Sequence, residues 1–461
     1  MRLVHFADLH LGTENYGRPD PQTGLSSRLF DFLRCFDTAV DCAIERQADL
    51  IVFAGDAYRS REPNPTHQRE FVQRIHRLVS AGIPVLLVAG NHDLPSLPAK
   101  ASSLDVFSAL EVPGVTVIRR PQVIDQETKS GIIRCACLPA LPRAALLQNE
   151  DRQLDADALR RALSRRLTQV AASLADRVAD FSPSILVAHI GVEGAMLGSE
   201  ASLISGAEPV APLEAVADPK YSYVALGHVH RFQEMNPRPP VVYCGSLDRV
   251  DFGEEGQEKG FVVVDIERDS AASPDGWRAS PPNPWRASYE FVPTPARRFL
   301  TIDIQVSGAD ATTQVEQAIA AANISQAIVR VRVTMNEEQP LDEERLRSSL
   351  GAAFVALPVS KQVRAAAVPR APGVAERMTD PLAALAEYLK LRQVSQERAR
   401  ALRAKAQDML AALRHDAEPL LDAAHDALVR SADPPAPQLP PSPNLRRTSR
   451  RAGNGSGATQ S

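Results

Sequence analysis

The sequence predicts an α/β fold for its first 270 residues, followed by a smaller α+β unit and a helical arm, and three observations predict it. Over those 270 residues short apolar runs alternate with longer amphipathic stretches, the pattern of strands and helices stacked in layers. The composition is globular, with 44% hydrophobic and 23% charged residues in a chain of 461, enough for about three domains. No apolar run reaches about 18 residues, so a membrane span is not expected.

In chain order, Leu3 to Ala7 reads as the first strand. Its apolar stretch is interrupted by His5 and ended by Asp8, which argues against a signal peptide and for a cytoplasmic protein. Leu29, Phe32, Leu33, Phe36, Val40 and Ile44 recur at spacings of three and four and predict a helix, as do Phe71, Ile75, Leu78 and Val79. Strands are expected at Leu50 to Ala54, Val85 to Ala89, Ile185 to Ala188, Tyr223 to Leu226, Val241 to Cys244 and Phe261 to Ile266. A long helix is expected from Leu154 to Val178, with Leu159, Leu163, Leu167, Val170 and Leu174 on its stripe. Cys135 and Cys137 share one face of a strand and read as core packing, since five cysteines without a second close pair give neither a zinc site nor a disulfide framework.

From Arg268 to Pro295 the composition turns to Pro, Ser, Ala and Asp, which marks a boundary loop holding Trp277 and Trp285 as local anchors. Beyond it, Leu300, Ile302, Ile304 and Val306 alternate, Val315 and Ile319 take helical spacing, and Val329, Val331 and Val333 alternate again. With a helix at Leu341 to Leu350 and a strand and turn at Phe354 to Val368, these form a β-α-β-α-β unit. Thr379-Asp380-Pro381 starts a helix bearing Leu382, Leu385 and Leu389, and after Val394-Ser395 a second carries Ala399, Leu402, Ala406, Met409 and Leu413. A last apolar patch comprises Leu420, Leu421, Leu428 and Val429; the Pro-rich stretch from Ser431 and the arginines of 445–451 read as a disordered tail.

Five strands end in residues that bind metals: Asp8-Leu9-His10, Gly55-Asp56, Asn91-His92-Asp93, His189, and His228-Val229-His230. Ligands of α/β sheets sit beyond the carboxyl ends of the strands, so these endings are expected to converge although the chain separates them widely. Singly each is commonplace: D-x-H arises by chance, a lone strand-end histidine is usually structural, and Gly55-Asp56 and Asn91-His92-Asp93 suit a turn and a polar loop. Together they offer seven candidate ligands, Asp8, His10, Asp56, Asn91, His189, His228 and His230, too many for one tetrahedral ion. Two divalent ions sharing a carboxylate fit the count, and nitrogen and oxygen donors without sulfur suit Mn²⁺, Fe or Zn²⁺.

These motifs resemble the signature of the calcineurin-like metallophosphoesterases over roughly residues 1 to 266. Phe6-Ala7-Asp8-Leu9-His10-Leu11-Gly12, Tyr243 to Arg249, Asp251 to Glu255 and Lys259-Gly260-Phe261 look like the corresponding stretches of the SbcD-type nuclease subunits of bacterial SbcCD repair complexes. The resemblance implies a four-layer α/β/β/α sandwich at 1–267, a Pro-rich linker and connecting strand at 268–296, a capping domain at 297–370, a partner-binding arm at 371–430 and a tail at 431–461. It implies that Asp8, His10, Asp56 and His230 hold one metal, most often Mn²⁺, and Asp56, Asn91, His189 and His228 the other, with His92 as catalytic acid and Asp93 orienting its imidazole. Related nucleases carry a second histidine three residues after the bridging aspartate; here that position is Arg59, which donates no proton but neutralises phosphate charge. The implied partners are DNA, a second copy of the chain, and an SbcC-type coiled-coil ATPase bound through residues 379–430 in a heterotetramer, with no membrane.

The charge balance, 52 basic against 56 acidic residues, net −4, lends no support to autonomous DNA binding. A phosphomonoesterase or cyclic-nucleotide phosphodiesterase on the same scaffold therefore stays open, as does a non-catalytic DNA-end adapter. The extra domain and the arm, surplus in a small-molecule phosphatase, favour the nuclease.

Overall fold

The structure, a computed structural model, describes residues 1–363 other than 96–99, 149–150, 152–153, 179–182, 199–208, 270–282, 309 and 338, and residues 381–410 other than 393. Trp277, residues 364–380, and Leu413 with every other position from 411 onward lie outside the described residues. The chain divides into two compact units, Met1–Arg364 and Ala365–Ser461.

The first unit is built on two six-stranded sheets. One runs Trp285–Pro293, Gly260–Arg268, Arg2–Phe6, Leu50–Phe53, Val85–Val88 and Val115–Ile118, parallel except where Gly260–Arg268 meets its two neighbours. The other runs Gln233–Pro237, Pro240–Tyr243, Tyr223–Gly227, Ser184–His189, Gly131–Leu138 and Gln122–Thr128, with antiparallel hairpins at both edges. Strands buried on both faces need apolar residues throughout, which is why Leu50–Phe53 and Val85–Val88 read as unbroken apolar runs. Between the sheets lie Leu3, Ala7, Val52, Val88, Cys135, Cys137, Val187 and Ala225. His5 shares that face; its Nδ1 lies 3.0 Å from the Tyr223 hydroxyl, and burial pushes the imidazole pKa down to about 3.

Helices cover the outer faces and complete the α/β/β/α order. Ser27–Glu45, capped by the Ser26 hydroxyl, and Pro65–Ser80, capped by Asn64 with Pro65 in its first turn, pack Phe32, Phe36, Phe71 and Ile75 on the first sheet. Ala156–Asp176, capped by Asp155, lays Leu163, Leu167 and Leu174 on the second. Trp285, expected inside a loop, instead opens an edge strand of the first sheet: Trp285, Ala287, Tyr289 and Phe291 face the inter-sheet core while Arg286, Ser288 and Glu290 face out. Gln122–Thr128, paired in a hairpin with the Gly131–Leu138 strand that carries Cys135 and Cys137, adds an edge that the apolar-run reading did not include.

Residues 299–363 make the smaller β-α-β-α-β arrangement, with parallel strands Phe299–Val306, Ile328–Met335, Val355–Ala356 and Ser360–Val363 and helices Ala311–Ala321 and Glu343–Ser349 around a separate apolar core. A buried ion network ties it to the sandwich. Arg297 grips Asp31 through two hydrogen bonds of 2.6 Å, and Asp31 also accepts from Arg28 at 2.8 Å and Arg34 at 3.1 Å. Phe299 packs edge to face on Phe252, whose ring also lies under Arg330.

In the second unit Pro381–Leu391 and residues 396–410 are helical. Leu389 is buried, whereas Leu402 and Met409 of the expected apolar stripe are 43% and 59% exposed. No described helix is long and apolar enough to cross a membrane.

Candidate metal centre

The carboxyl ends of five strands, three from the first sheet and two from the second, meet at one patch, and local backbone geometry turns the residues that follow them inward. Asp8, His10, Asp56 and His228 all have positive φ (51°, 46°, 60° and 93°), a conformation that costs an L-residue about 1–3 kcal/mol and persists only where surroundings over-determine it. Hydrogen bonds do so here: the amides of Asp8, His10 and Leu11 donate to the carbonyls of Gly55, Asp56 and Ala57 at 2.9, 3.1 and 3.0 Å. Two glycines make the approach possible. A Cβ on Gly55, itself at φ 100°, would stand 2.3 Å from the His189 ring, and one on Gly90 would stand 2.1 Å from Asp56 Oδ1.

Donor atoms converge in three overlapping groups: Asp8, His10 and His230; His10, Asp56 and His92; and Asp8, Asp56 and His189. Asp56 bridges the patch, with Oδ2 3.6 Å from His10 Nε2 and 3.5 Å from His189 Nε2. His10 and His230 bring their Nε2 atoms within 3.0 Å. On the other side Asn91 Oδ1 lies 2.9 Å from His189 Nε2, and the His228 ring stands edge-on to His189 with centroids 5.2 Å apart. His228 also contributes its amide, which donates to both Asp8 oxygens at 3.1 and 2.9 Å.

The donor set fits two divalent cations. His189 Nδ1 donates to the Ala54 carbonyl at 2.7 Å and His230 Nδ1 meets Glu254 Oε1 at 2.6 Å, which leaves Nε2 of each ring directed into the patch with its lone pair available. The carboxylates need positive neighbours in so buried a place. Burial lifts the Asp8 carboxyl to about 6; at Asp56 burial pulls the same way but is outweighed by His189, then His10 and His92, and the group stays well below the usual carboxylate range.

Several residues take positions that the sequence did not disclose. Asp93 does not contact the His92 imidazole, as the reading of it as an orienting group requires. Fully buried, it accepts from three amides, those of Asp56 (2.8 Å), Ala57 (2.9 Å) and Gly90 (2.9 Å), and so clamps two ligand loops together. The His92 ring is oriented by its Nδ1 contact with the Arg59 carbonyl at 2.8 Å, and its amide donates to Asp56 Oδ1. Arg59 thus meets His92 through its backbone, while its side chain is exposed. Glu254 and Lys259, inside stretches that carried the family resemblance without assigned roles, are buried and joined at 2.8 Å behind His230. A carboxylate 24 positions from its histidine follows no local spacing rule, and only the folded turn discloses it.

Fold and site together define a metal-dependent hydrolase of the phosphoester class, with a two-metal centre at the strand ends of a four-layer sandwich. A family model described as calcineurin-like phosphoesterase matches residues 1–232, and the chain belongs to that family. It is 27% identical over 359 residues to the SbcD subunit of the SbcCD nuclease of Bacillus subtilis, covering 75% of this chain and 88% of the relative. It is 27% identical over 283 residues to the DNA double-strand break repair protein Mre11 of Archaeoglobus fulgidus, covering 57% of each. Among solved structures, a dimetal phosphatase from Danio rerio is similar over 57% of this chain and 92% of its own, with 10% identity and a TM-score of 0.36.

Proposed function

We propose that this protein is the nuclease subunit of a DNA-end-processing complex, a Mn²⁺-dependent phosphodiesterase that acts as double-strand exonuclease and single-strand or hairpin endonuclease with an SbcC-type ATPase in the cytoplasm. The observation that carries the reading is the convergence of the seven donors around Asp56 with His92 at the rim. Relatives named as nuclease subunits and break-repair proteins support DNA as substrate. The 299–363 subdomain, beside the Phe252 turn, supports a role for it as a cap over a large substrate.

Asp8, His10, Asp56 and His230 would hold one cation and Asp56, Asn91, His189 and His228 the other. Two bound cations supply Lewis-acid polarisation of the phosphodiester and a nucleophile from water at neutral pH. His92 supplies the proton for the departing 3′-oxygen from its imidazolium form: Nδ1–H stays on the Arg59 carbonyl, Nε2–H is the bond that gives up its proton, and the ring is left neutral. The exposed Arg59 guanidinium neutralises phosphate charge at the same rim. Asp93 holds the Asp56 and Gly90 loops in register. The helices from 381 onward, with Leu402 and Met409 exposed, are the docking element for the ATPase; a dimer of this chain within a heterotetramer is what the resemblance to SbcD-type subunits implies.

The test is cleavage of a labelled hairpin duplex, a phosphomonoester and a cyclic nucleotide by wild type and His92→Gln in Mn²⁺. The proposal predicts that DNA is preferred and that the variant cleaves it about 10²-fold more slowly or worse with unchanged metal content. Preference for the phosphomonoester or the cyclic nucleotide would instead assign a small-molecule phosphatase, and absence of all hydrolysis by metal-replete wild type would favour a DNA-end adapter.

A further inference from the structure

Behind His230 the chain makes a turn in which two successive glutamates face opposite ways. Glu254 is fully buried: one oxygen meets His230 Nδ1 at 2.6 Å, and the other accepts from the Val250 amide at 3.0 Å and the Lys259 ammonium at 2.8 Å. Lys259 is held in turn by the His230 carbonyl and the Ser246 hydroxyl, each at 2.8 Å. Both the ring and the main chain of His230 are therefore fixed by one closed network. The neighbouring Glu255 points away and accepts from the amide and hydroxyl of Thr301, at 2.7 and 2.5 Å.

A buried carboxylate with both oxygens engaged, one of them by a single ring nitrogen, is costly to keep unless that geometry matters. A carboxylate partner for a ligating imidazole fixes tautomer and ring direction and raises ligand basicity. We propose that Glu254 is a positioning residue of the metal centre: it holds His230 with Nδ1 occupied and Nε2 turned into the patch, and Lys259 holds Glu254 there. The inference rests on the reading of His230 as a metal ligand. Glu255, one position on, anchors the same turn to the 299–363 subdomain and does not touch His230, which makes it an internal control.

The experiment measures Mn²⁺ binding by calorimetry and the d–d absorption of the Co²⁺-loaded protein, on the full chain, for wild type, Glu254→Ala, Glu254→Gln, Glu255→Ala and His230→Ala. Glu254→Ala is expected to weaken one of the two Mn²⁺ sites about 10- to 100-fold and to shift the Co²⁺ bands. Glu254→Gln, which keeps an acceptor for Nδ1, is expected to weaken it less, and Glu255→Ala to bind like wild type. If both Glu254 variants bind and absorb like wild type while His230→Ala is weakened, the positioning role is overturned and the metal site stands. Equal losses in Glu255→Ala and Glu254→Ala reduce the turn to scaffolding and also overturn it; wild-type binding by His230→Ala overturns the ligand reading itself.

Discussion

Replacing Asp93 with asparagine separates two accounts of that residue. If Asp93 oriented the His92 imidazole, the change would slow proton transfer and leave metal binding and stability alone. The structure predicts otherwise, because three buried amides end on its two oxygens at 2.8 to 2.9 Å. An asparagine keeps one acceptor oxygen and turns an NH₂ group toward the remaining amides, so at least one N–H, and at most two, lose their partner. Each orphaned buried donor costs about 1–3 kcal/mol, which gives a loss of about 1–6 kcal/mol from a domain whose whole stability is of order 5–15 kcal/mol. Because the affected amides belong to the Asp56 and Gly90 loops, Mn²⁺ affinity falls along with stability. Urea unfolding of the apoprotein and calorimetric titration with Mn²⁺ measure the two effects. An unchanged midpoint and unchanged affinity, with slower cleavage alone, would refute the clamp and restore the orienting role.

Asp31→Asn breaks a buried network in which Arg28, Arg34 and Arg297 share one carboxylate; it is expected to cost about 3–5 kcal/mol, and hydrogen exchange will show the strand Phe299–Val306 losing protection first. His5 is held near a pKa of 3 against 6.5 in the unfolded chain, so the unfolded state binds the extra proton and the stability it provides, complete above pH 6.5, is lost as pH falls from 6.5 toward 3. The paired substitution His5→Leu with Tyr223→Phe is expected to flatten that limb of the stability curve, and an identical acid limb in the variant would contradict this. Arg59→Ala is expected to raise KM for DNA and to steepen inhibition by salt, with metal content unchanged; unaltered kinetics would leave the side chain without a part in phosphate binding.

The parallel core strands were legible because burial on both faces demands uninterrupted apolar residues, and their polar endings stood out for the same reason. The 299–363 subdomain was legible because alternation at Leu300 to Val306 and helical spacing at Val315 and Ile319 are local signals. Trp285–Pro293 was hidden from the periodicity reading by the prolines around it, Pro281, Pro282, Pro284 and Pro295, although Trp285, Ala287, Tyr289 and Phe291 do alternate inward. The hairpin edge at Gln122–Thr128 is half solvated and lacks an apolar run. At the site, the nature of the donors could be read from residue type, but not their partners. Asp93 lies next to His92 in sequence, yet its carboxylate is drawn to three amides of the ligand loops, and Glu254 reaches His230 only through the fold.

The central proposal is that Asp56 would be shared by two cations, with the other ligands drawn from both sheets. Metal content of the purified, Mn²⁺-loaded chain, measured by elemental analysis beside Asp56→Ala, tests it most directly. The account predicts two ions per chain in the wild type and loss of both in the variant, with the sandwich still folded by circular dichroism. One ion per chain in the wild type, or two retained by the folded variant, would contradict it.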